Sequence, residues 1–450
     1  MKKTKIQLIA LVLLSATSST YAVDLFQSYQ AALSYNADYL KQIANNQAAQ
    51  ELPNIARSVL LPQIGANAAL TENYFDQQGM NAFYHQPTYA AQLTQVVVDF
   101  NKFSTLSKNK LSSQLANLQL TNAQQLLMVK VSQAYFDVLY AEDKLVATKR
   151  TKEAFEKQMK QADAAFKAGA VTIADVNDAK SGYDTAIAQE IQDTNNLIIK
   201  KNNFHNITGL DADQIQPLQD SIALNLPEPQ SDSQWAEIAK QGNLNIKIAT
   251  MQTNVAKENI SIARSGHYPT LNFNAQYQYQ DTSTLDSTNI PAAAIPNLSY
   301  PGGPLSTYGV GSALLSLSIP ISAGGAINAQ TRQAADIYST SVQQQVATER
   351  NTNQEVRNAY WQVANGVSIV NAQKTALTSA KTKLSSDELG YQVGLRNSVD
   401  LVNSQKNYYD TYQIYQQSKY QYLMAQVNLE YLSGKINSEF LQKINSNINQ

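Results

Sequence analysis

Two hydrophobic periods alternate along this chain, and the alternation happens twice. From Asp24 to about Arg57 apolar residues recur at helical spacing, with a kink expected at Pro53. At Gln63 the period falls to two. Ile64, Ala66, Ala68, Leu70 and Tyr74 alternate with Gln63, Gly65, Asn67, Ala69, Thr71 and Asn73, and Glu72 is the exception on the apolar side. That pattern predicts a strand with one apolar and one small, polar face. Residues 76–87, with Gly, Asn and Pro, read as a loop, and Tyr89 to Val98 as a second strand completing a hairpin. The helical period then runs from about 102 to 167 without Pro or Gly, and Leu111, Leu115 and Leu118 follow coiled-coil spacing. At 1.5 Å per residue this helix is on the order of 100 Å long, more than a globular core accommodates.

The second half repeats the design. Ile55-Ala56-Arg57-Ser58 before Pro62 returns as Ile262-Ala263-Arg264-Ser265 before Pro269. The strand that follows is the cleanest in the chain: Leu271, Phe273, Ala275, Tyr277 and Tyr279 oppose Asn272, Asn274, Gln276, Gln278 and Gln280. After a loop over 283–306, Ala313, Leu315, Leu317 and Ile319 oppose Ser312, Leu314, Ser316 and Ser318. Repeat 1 therefore covers 23–228, with strands at about 61–75 and 88–99, a long helix at 102–167, a tip at 168–172 and a return helix at 173–207. Repeat 2 covers 229–450, with strands at about 268–281 and 307–321, a helix at 328–389, a tip at 390–397, a return helix at 398–432 and a terminal segment at 434–450. Between the tips Gly169 matches Gly394 and Asp175 matches Asp400, both at an offset of 225 residues. Each Gly supplies the left-handed conformation that ends a helix, and Thr172 or Asn397 can cap the next.

Charge and composition narrow the class. Lys2, Lys3 and Lys5, the apolar run Ile6 to Leu14, and Thr20-Tyr21-Ala22 predict a secretory signal over 1–22 and a mature chain from Val23. No other run approaches the length of a membrane-crossing helix. A net charge of −1 argues against nucleic acid. With no Cys, scattered His85, His205 and His267, and no phosphate-binding or nucleophile motif, neither a cofactor, a metal site nor enzyme activity is expected. Tyr408, Tyr412, Tyr415 and Tyr422 share a helix face and read as packing; Tyr74, Tyr277 and Tyr279 read as an interfacial girdle or as lipid-facing. Four amphipathic strands cannot close by themselves, so the chain is expected to oligomerise, and a dimer or a trimer both satisfy this. Asp400 reads either as a pore charge or as an ordinary acid at a helix start. Arg396, four residues earlier, can pair with it locally. Two classes fit the pattern: a membrane protein whose strands pair with those of other copies, or a non-conducting periplasmic coiled-coil adaptor or spacer, which leaves the strands unexplained.

The two tip stretches, the paired Ile-Ala-Arg-Ser segments, Ala134-Tyr135-Phe136, and Ser318-Ile319-Pro320-Ile321 leading to Gly324-Gly325 form an ordered, duplicated set. On these residues the chain resembles the TolC family of outer-membrane efflux and type I secretion channel proteins over nearly its whole mature length. The resemblance implies a mixed α and β membrane protein: a homotrimer whose twelve-stranded barrel takes four strands from each chain, continued by a long periplasmic α-helical barrel that coiled hairpin tips close. It implies a passive duct in the outer membrane of a Gram-negative bacterium. That duct would be opened by a periplasmic adaptor and an inner-membrane transporter of RND, ABC or MFS type, for drugs or secreted protein. It places Asp400 at the pore constriction, with Asn403 where the best-known pattern has a second acid; Asp178 is acidic instead at the repeat-1 equivalent. A closed-state lock is implied from Tyr391 and Arg396 to Asp175 and the carbonyl of Ala174. Adaptor contacts are implied at Gly169, Ala170, Val171, Thr172, Gly394 and Leu395. The segments 209–232 and 434–450 would form a band around the helical barrel's middle.

Overall fold

The computed structural model describes residues 23–77, 80–219, 222–280, 284–287 and 308–446. The expected signal segment 1–22, most of the expected loop 283–306 and residues 447–450 lie outside them. Ten α-helices and five strands are described, in the order α1 (Leu25–Tyr35), α2 (Ala37–Gln50), α3 (Leu52–Ser58), β1 (Gln63–Gln77), β2 (Met80–Val98), α4 (Phe100–Lys167), α5 (Ile173–Thr208), α6 (Asp232–Gly242), α7 (Leu244–Ser265), β3 (Thr270–Gln280), β4 (Thr284–Ser287), β5 (Tyr308–Ser318), α8 (Ala326–Gln392), α9 (Ser398–Ser433) and α10 (Ser438–Asn445). They divide into two compact units. One takes residues up to 41, 122–243 and from 351 onward; the other takes 42–121 and 244–350. Each unit thus draws on both repeats.

The second unit holds the sheet. It is antiparallel, in the order β1-β2-β3-β5, with the short β4 against β2. The register joins the alternations of separate strands into common faces. Ile64, Leu93, Ala275 and Ala313 form one cross-strand row, and Ala66, Ala91, Tyr277 and Gly311 another. The other face carries Gly65, Gln92, Gln276 and Ser312. Glu72, the polar exception, stands opposite His85 and within 3.5 Å of its ring. β1 and β5 are open edges, each paired on one side only among the described residues.

Two expectations need correction here. The second strand begins at Met80 rather than near 88, so most of the expected loop 76–87 continues the ladder. Pro87 blurred the signal. It falls between the stretches of β2 that pair with β4 and with β3, where a missing N–H removes no ladder bond on that side. The leading helix is also broken at Asn36, besides the interruption at Glu51, two residues before Pro53, where the kink is expected. Asn36 ends α1 in an extended conformation, and its side chain then accepts the N–H of Tyr39 at 3.1 Å to start α2. The later break comes at Glu51, which leaves Pro53 in the first turn of α3, where it needs no N–H partner.

In the helical unit the core gathers around the middle of α4, α8 and α9. Tyr29, Val131, Tyr135, Phe136, Phe204, Val356, Tyr422 and Leu423 are all nearly or fully buried. Tyr135 donates its hydroxyl to the carbonyl of Gln216 at 2.8 Å, which fastens the connection after α5 to this core. The short α10 buries Leu441 and Ile444 in the same cluster.

The hairpin tips as the candidate functional site

At each tip two helices reverse through the same backbone device. Gly169 has φ +75°, and the amides of Gly169 and Ala170 bond back to Phe166 and Ala165 (2.9 Å each). Gly394 has φ +78°, with Gly394 bonding to Tyr391 at 3.1 Å and Leu395 to Gly390 at 2.7 Å. This paired closure satisfies the last carbonyls of α4 and α8 and needs the left-handed residue that only Gly adopts without strain. Leu395 is 82% exposed; Val393 and Val399 at the same tip, and Ile173 and Phe166 at the other, are exposed as well.

The two tips differ in how their acids are used. Thr172 caps α5: its hydroxyl accepts the amide of Asp175 at 3.3 Å, and the Asp175 carboxylate accepts the Thr172 amide at 2.8 Å and its hydroxyl at 2.7 Å. The Thr172 hydroxyl, then its amide, hold the Asp175 carboxyl below the usual aspartate range. Asn397 caps α9 by accepting the amide of Asp400 at 2.7 Å. The Asp400 carboxylate makes no reciprocal cap and stands 3.9 Å from a terminal nitrogen of Arg396. Asn403 is exposed one turn further on.

Arg396 folds back over the last turn of α8. Its Nε lies 3.4 Å from the carboxylate of Asp387. Gly390 makes room: a Cβ there would stand 2.8 Å from the Arg396 side chain. Asp387 is 5% exposed and also receives Lys383 at 2.8 Å and the hydroxyl of Ser404. Lys383 first, then Ser404, hold its carboxyl below the usual range. Within the protomer the local pairings of Arg396 are therefore made. Among the described residues no hydrogen bond or ion pair runs from Asp175 or Ala174 to Tyr391 or Arg396. Sequence reasoning missed Asp387, Lys383 and Ser404. The i,i+4 spacing of Lys383 and Asp387 was the available signal, but it looks like any solvated helix pair.

The pattern of the outer membrane efflux protein family matches residues 28–210 and 235–435, one stretch in each repeat. The chain belongs to that family. Outer membrane protein TolC of Escherichia coli (strain K12) is 32% identical over 449 residues, which cover 99% of this chain and 89% of that protein. Proteases secretion protein PrtF of Dickeya chrysanthemi is 25% identical over 451 residues, 98% of this chain and 94% of its own. Among solved structures, the Campylobacter jejuni CmeC outer membrane channel shares the fold with a TM-score of 0.76 at 15% identity, over 95% of this chain and 90% of that one. The open state of the Neisseria gonorrhoeae MtrE outer membrane channel does so with a TM-score of 0.73 at 16% identity, over 94% of each. An outer membrane efflux protein belongs to the outer membrane and to transport rather than to an enzyme family. No helix among the described residues is long and apolar enough to cross a membrane.

Proposed function

We propose that the protein is a passive exit duct of the outer membrane of a Gram-negative bacterium, serving drug efflux, type I protein secretion, or both. The observation that carries this reading is the sheet. It has one apolar face, one amide- and hydroxyl-rich face and two open edges, which suits a strand set completed by other copies of the same chain. Three protomers give twelve strands with lipid outside and water inside, and the long helices then continue the channel into the periplasm.

The tips are the working end in this reading. Exposed Val393 and Leu395, with Gly169, Ala170, Val171 and Thr172 on the other hairpin, suit an apolar contact with a periplasmic adaptor. The inner-membrane transporter, of RND, ABC or MFS type, supplies the energy. Asp400 from three protomers would ring the constriction, with Asn403 adding no second charge. Arg396 in one protomer stands within reach of two acids of its own hairpin. The closed-state lock to Asp175 and Ala174, with Tyr391, would therefore form only when Arg396 exchanges these partners for the opposite hairpin.

The test has two parts. The purified protein is expected to be a trimer and to form a small, cation-preferring pore in planar bilayers. Large, steady, anion-selective currents would contradict the ring. In a strain lacking the chromosomal copy, the chain should restore export of an antibiotic. Recovery of all the protein in the soluble periplasm would end the duct reading.

A further inference from the structure

Three acids of the helical unit that are withdrawn from solvent each meet a lysine. The buried Asp193 receives Lys144 at 2.9 Å, Glu190 receives Lys152 at 2.6 Å, and Asp137 receives Lys200 at 2.7 Å. Glu430, near the end of α9, is half-buried and is not matched in this way. Its main-chain carbonyl is in use, accepting the amides of Lys435 at 2.9 Å and Ile436 at 3.1 Å where the helix ends. Its carboxylate makes no hydrogen bond or ion pair among the described residues. Lys435 and Lys443 act on it through their charge alone. Lys435 lies over the Trp235 ring instead, 5.2 Å from its centre, and Lys443 is exposed. Burial outweighs both lysines and holds the Glu430 carboxyl above the usual glutamate range.

Glu430 lines a cavity of about 550 Å³ between the 223–230 segment, α8, α9 and α10. Leu224, Trp235, Val363, Leu429 and Phe440 give that cavity an apolar wall. Trp235 is fixed in place by its indole N–H, which donates to the carbonyl of Pro229 at 2.8 Å. Glu228 and Lys443 also line the space, and both are exposed. A cavity of this size holds a drug-sized molecule, and an apolar wall with a few polar groups is the usual make-up of a ligand site.

We propose that this cavity binds small organic cations, with the ammonium group paired to Glu430 and an apolar aromatic or alkyl body against Trp235 and Phe440. The wall alone would accept any neutral apolar molecule. A half-buried carboxylate without a base adds a preference for positive charge, because its desolvation is costly and a ligand cation offsets that cost. An anion would meet both Glu430 and Glu228 with only Lys443 to oppose them, since Lys435 is held over Trp235. The site is remote in sequence from both tips and goes beyond the duct reading.

The chain has two tryptophans, and Trp361 lines a different groove, with Asn358 and Asn365. Trp361→Phe therefore leaves Trp235, in the cavity wall, as the only one. The purified protein carrying that change is titrated with dansylcadaverine, an apolar primary amine whose dye accepts energy from tryptophan, and with its uncharged N-acetyl form. The amine is expected to quench Trp235 saturably and to bind about tenfold or more tighter than the N-acetyl form. Adding Glu430→Gln should weaken the amine by a similar factor and leave the N-acetyl form unchanged. Adding Asp400→Ala should alter neither. Absence of saturable quenching by the amine, or equal affinity of the amine for the Glu430→Gln protein, overturns the proposal. Loss of binding in Asp400→Ala also overturns it, by placing the cation at the tip. If the Glu430→Gln protein does not assemble, the two ligands on the Trp361→Phe protein decide alone, and equal affinity overturns the site. The readout involves no transport, so a failure of the duct reading leaves this test intact.

Discussion

Asp175 and Asp400 occupy the same position in their repeats, three residues into a returning helix, yet they do different work. Asp175 is consumed by a reciprocal cap, so its carboxylate serves the helix start. Its folded pKa lies below that of the unfolded chain. The stability it contributes is therefore present above the ordinary aspartate pKa, near 3.9, and is lost as pH falls through the lower folded value. Thr172→Ala is expected to raise hydrogen exchange over residues 173–176, corrected for intrinsic rate, and to abolish its acid dependence below about pH 4. Asp400 has no such cap duty, because Asn397 accepts its amide and nothing is returned. Block of the pore by a polyvalent cation should therefore fall away in Asp400→Ala and strengthen by roughly tenfold in Asn403→Asp, read as the blocking concentration in planar bilayers. Unchanged block in the first variant would place the binding charges elsewhere. For the lock, Tyr391→Phe with Arg396→Ser is expected to raise single-channel conductance and admit large antibiotics without a pump. Wild-type values for both would leave closure to helix coiling alone.

At the scale of elements, the two hairpins share an outline but differ inside. In the first, Gly182 faces Phe155, where an added Cβ would come within 2.9 Å of the ring. At the matching place in the second stand Ala380 and Asn407. Gly182→Ala should therefore overpack the first hairpin and cost about 1–3 kcal/mol, measured as a lower Tm, with Asn407→Ala in the second hairpin as the control. Much of this architecture was legible in the sequence, since the period of two and the helical period each report one buried or lipid-facing face. The long helices, both tips and the repeat needed nothing more. Three features did not show. The outer part of β2 was hidden because Pro87 reads as a breaker unless the gap in its neighbour's pairing is known. The break at Asn36 depends on a side chain that ends one helix and starts the next, which looks like any polar residue in a helix. The Asp387 group is assembled by a Gly that lets Arg396 fold back, and such a cluster exists only in three dimensions.

For the whole molecule, the decisive matter is which way the sheet faces. Leu315 stands opposite Phe273 on the apolar face, and Ser316 stands opposite Asn272 on the other. Leu315→Arg is expected to cost about 2–4 kcal/mol if it meets mid-membrane lipid, and to reduce heat-resistant oligomers in outer-membrane fractions. Ser316→Arg, one residue on, should assemble normally and shift ion selectivity. Equal effects of the two would deny that the faces have these roles. The seam between β2 and β3 also sets an order of events. Its partners, from Thr88 with Gln280 to Val98 with Leu271, are roughly 170–190 residues apart along the chain. The β1–β2 hairpin can close as soon as it is made, whereas the seam must wait for α4 through α7 to be synthesised and brought round. Contacts of such long range form slowly, and strands with unsatisfied edges are prone to aggregate meanwhile. Yield is thus governed by how long the exported chain is kept apart from its fellows. In a pulse-chase experiment, protease-resistant helical hairpins should appear before heat-resistant oligomers, and loss of a periplasmic holding chaperone should deplete the oligomers alone.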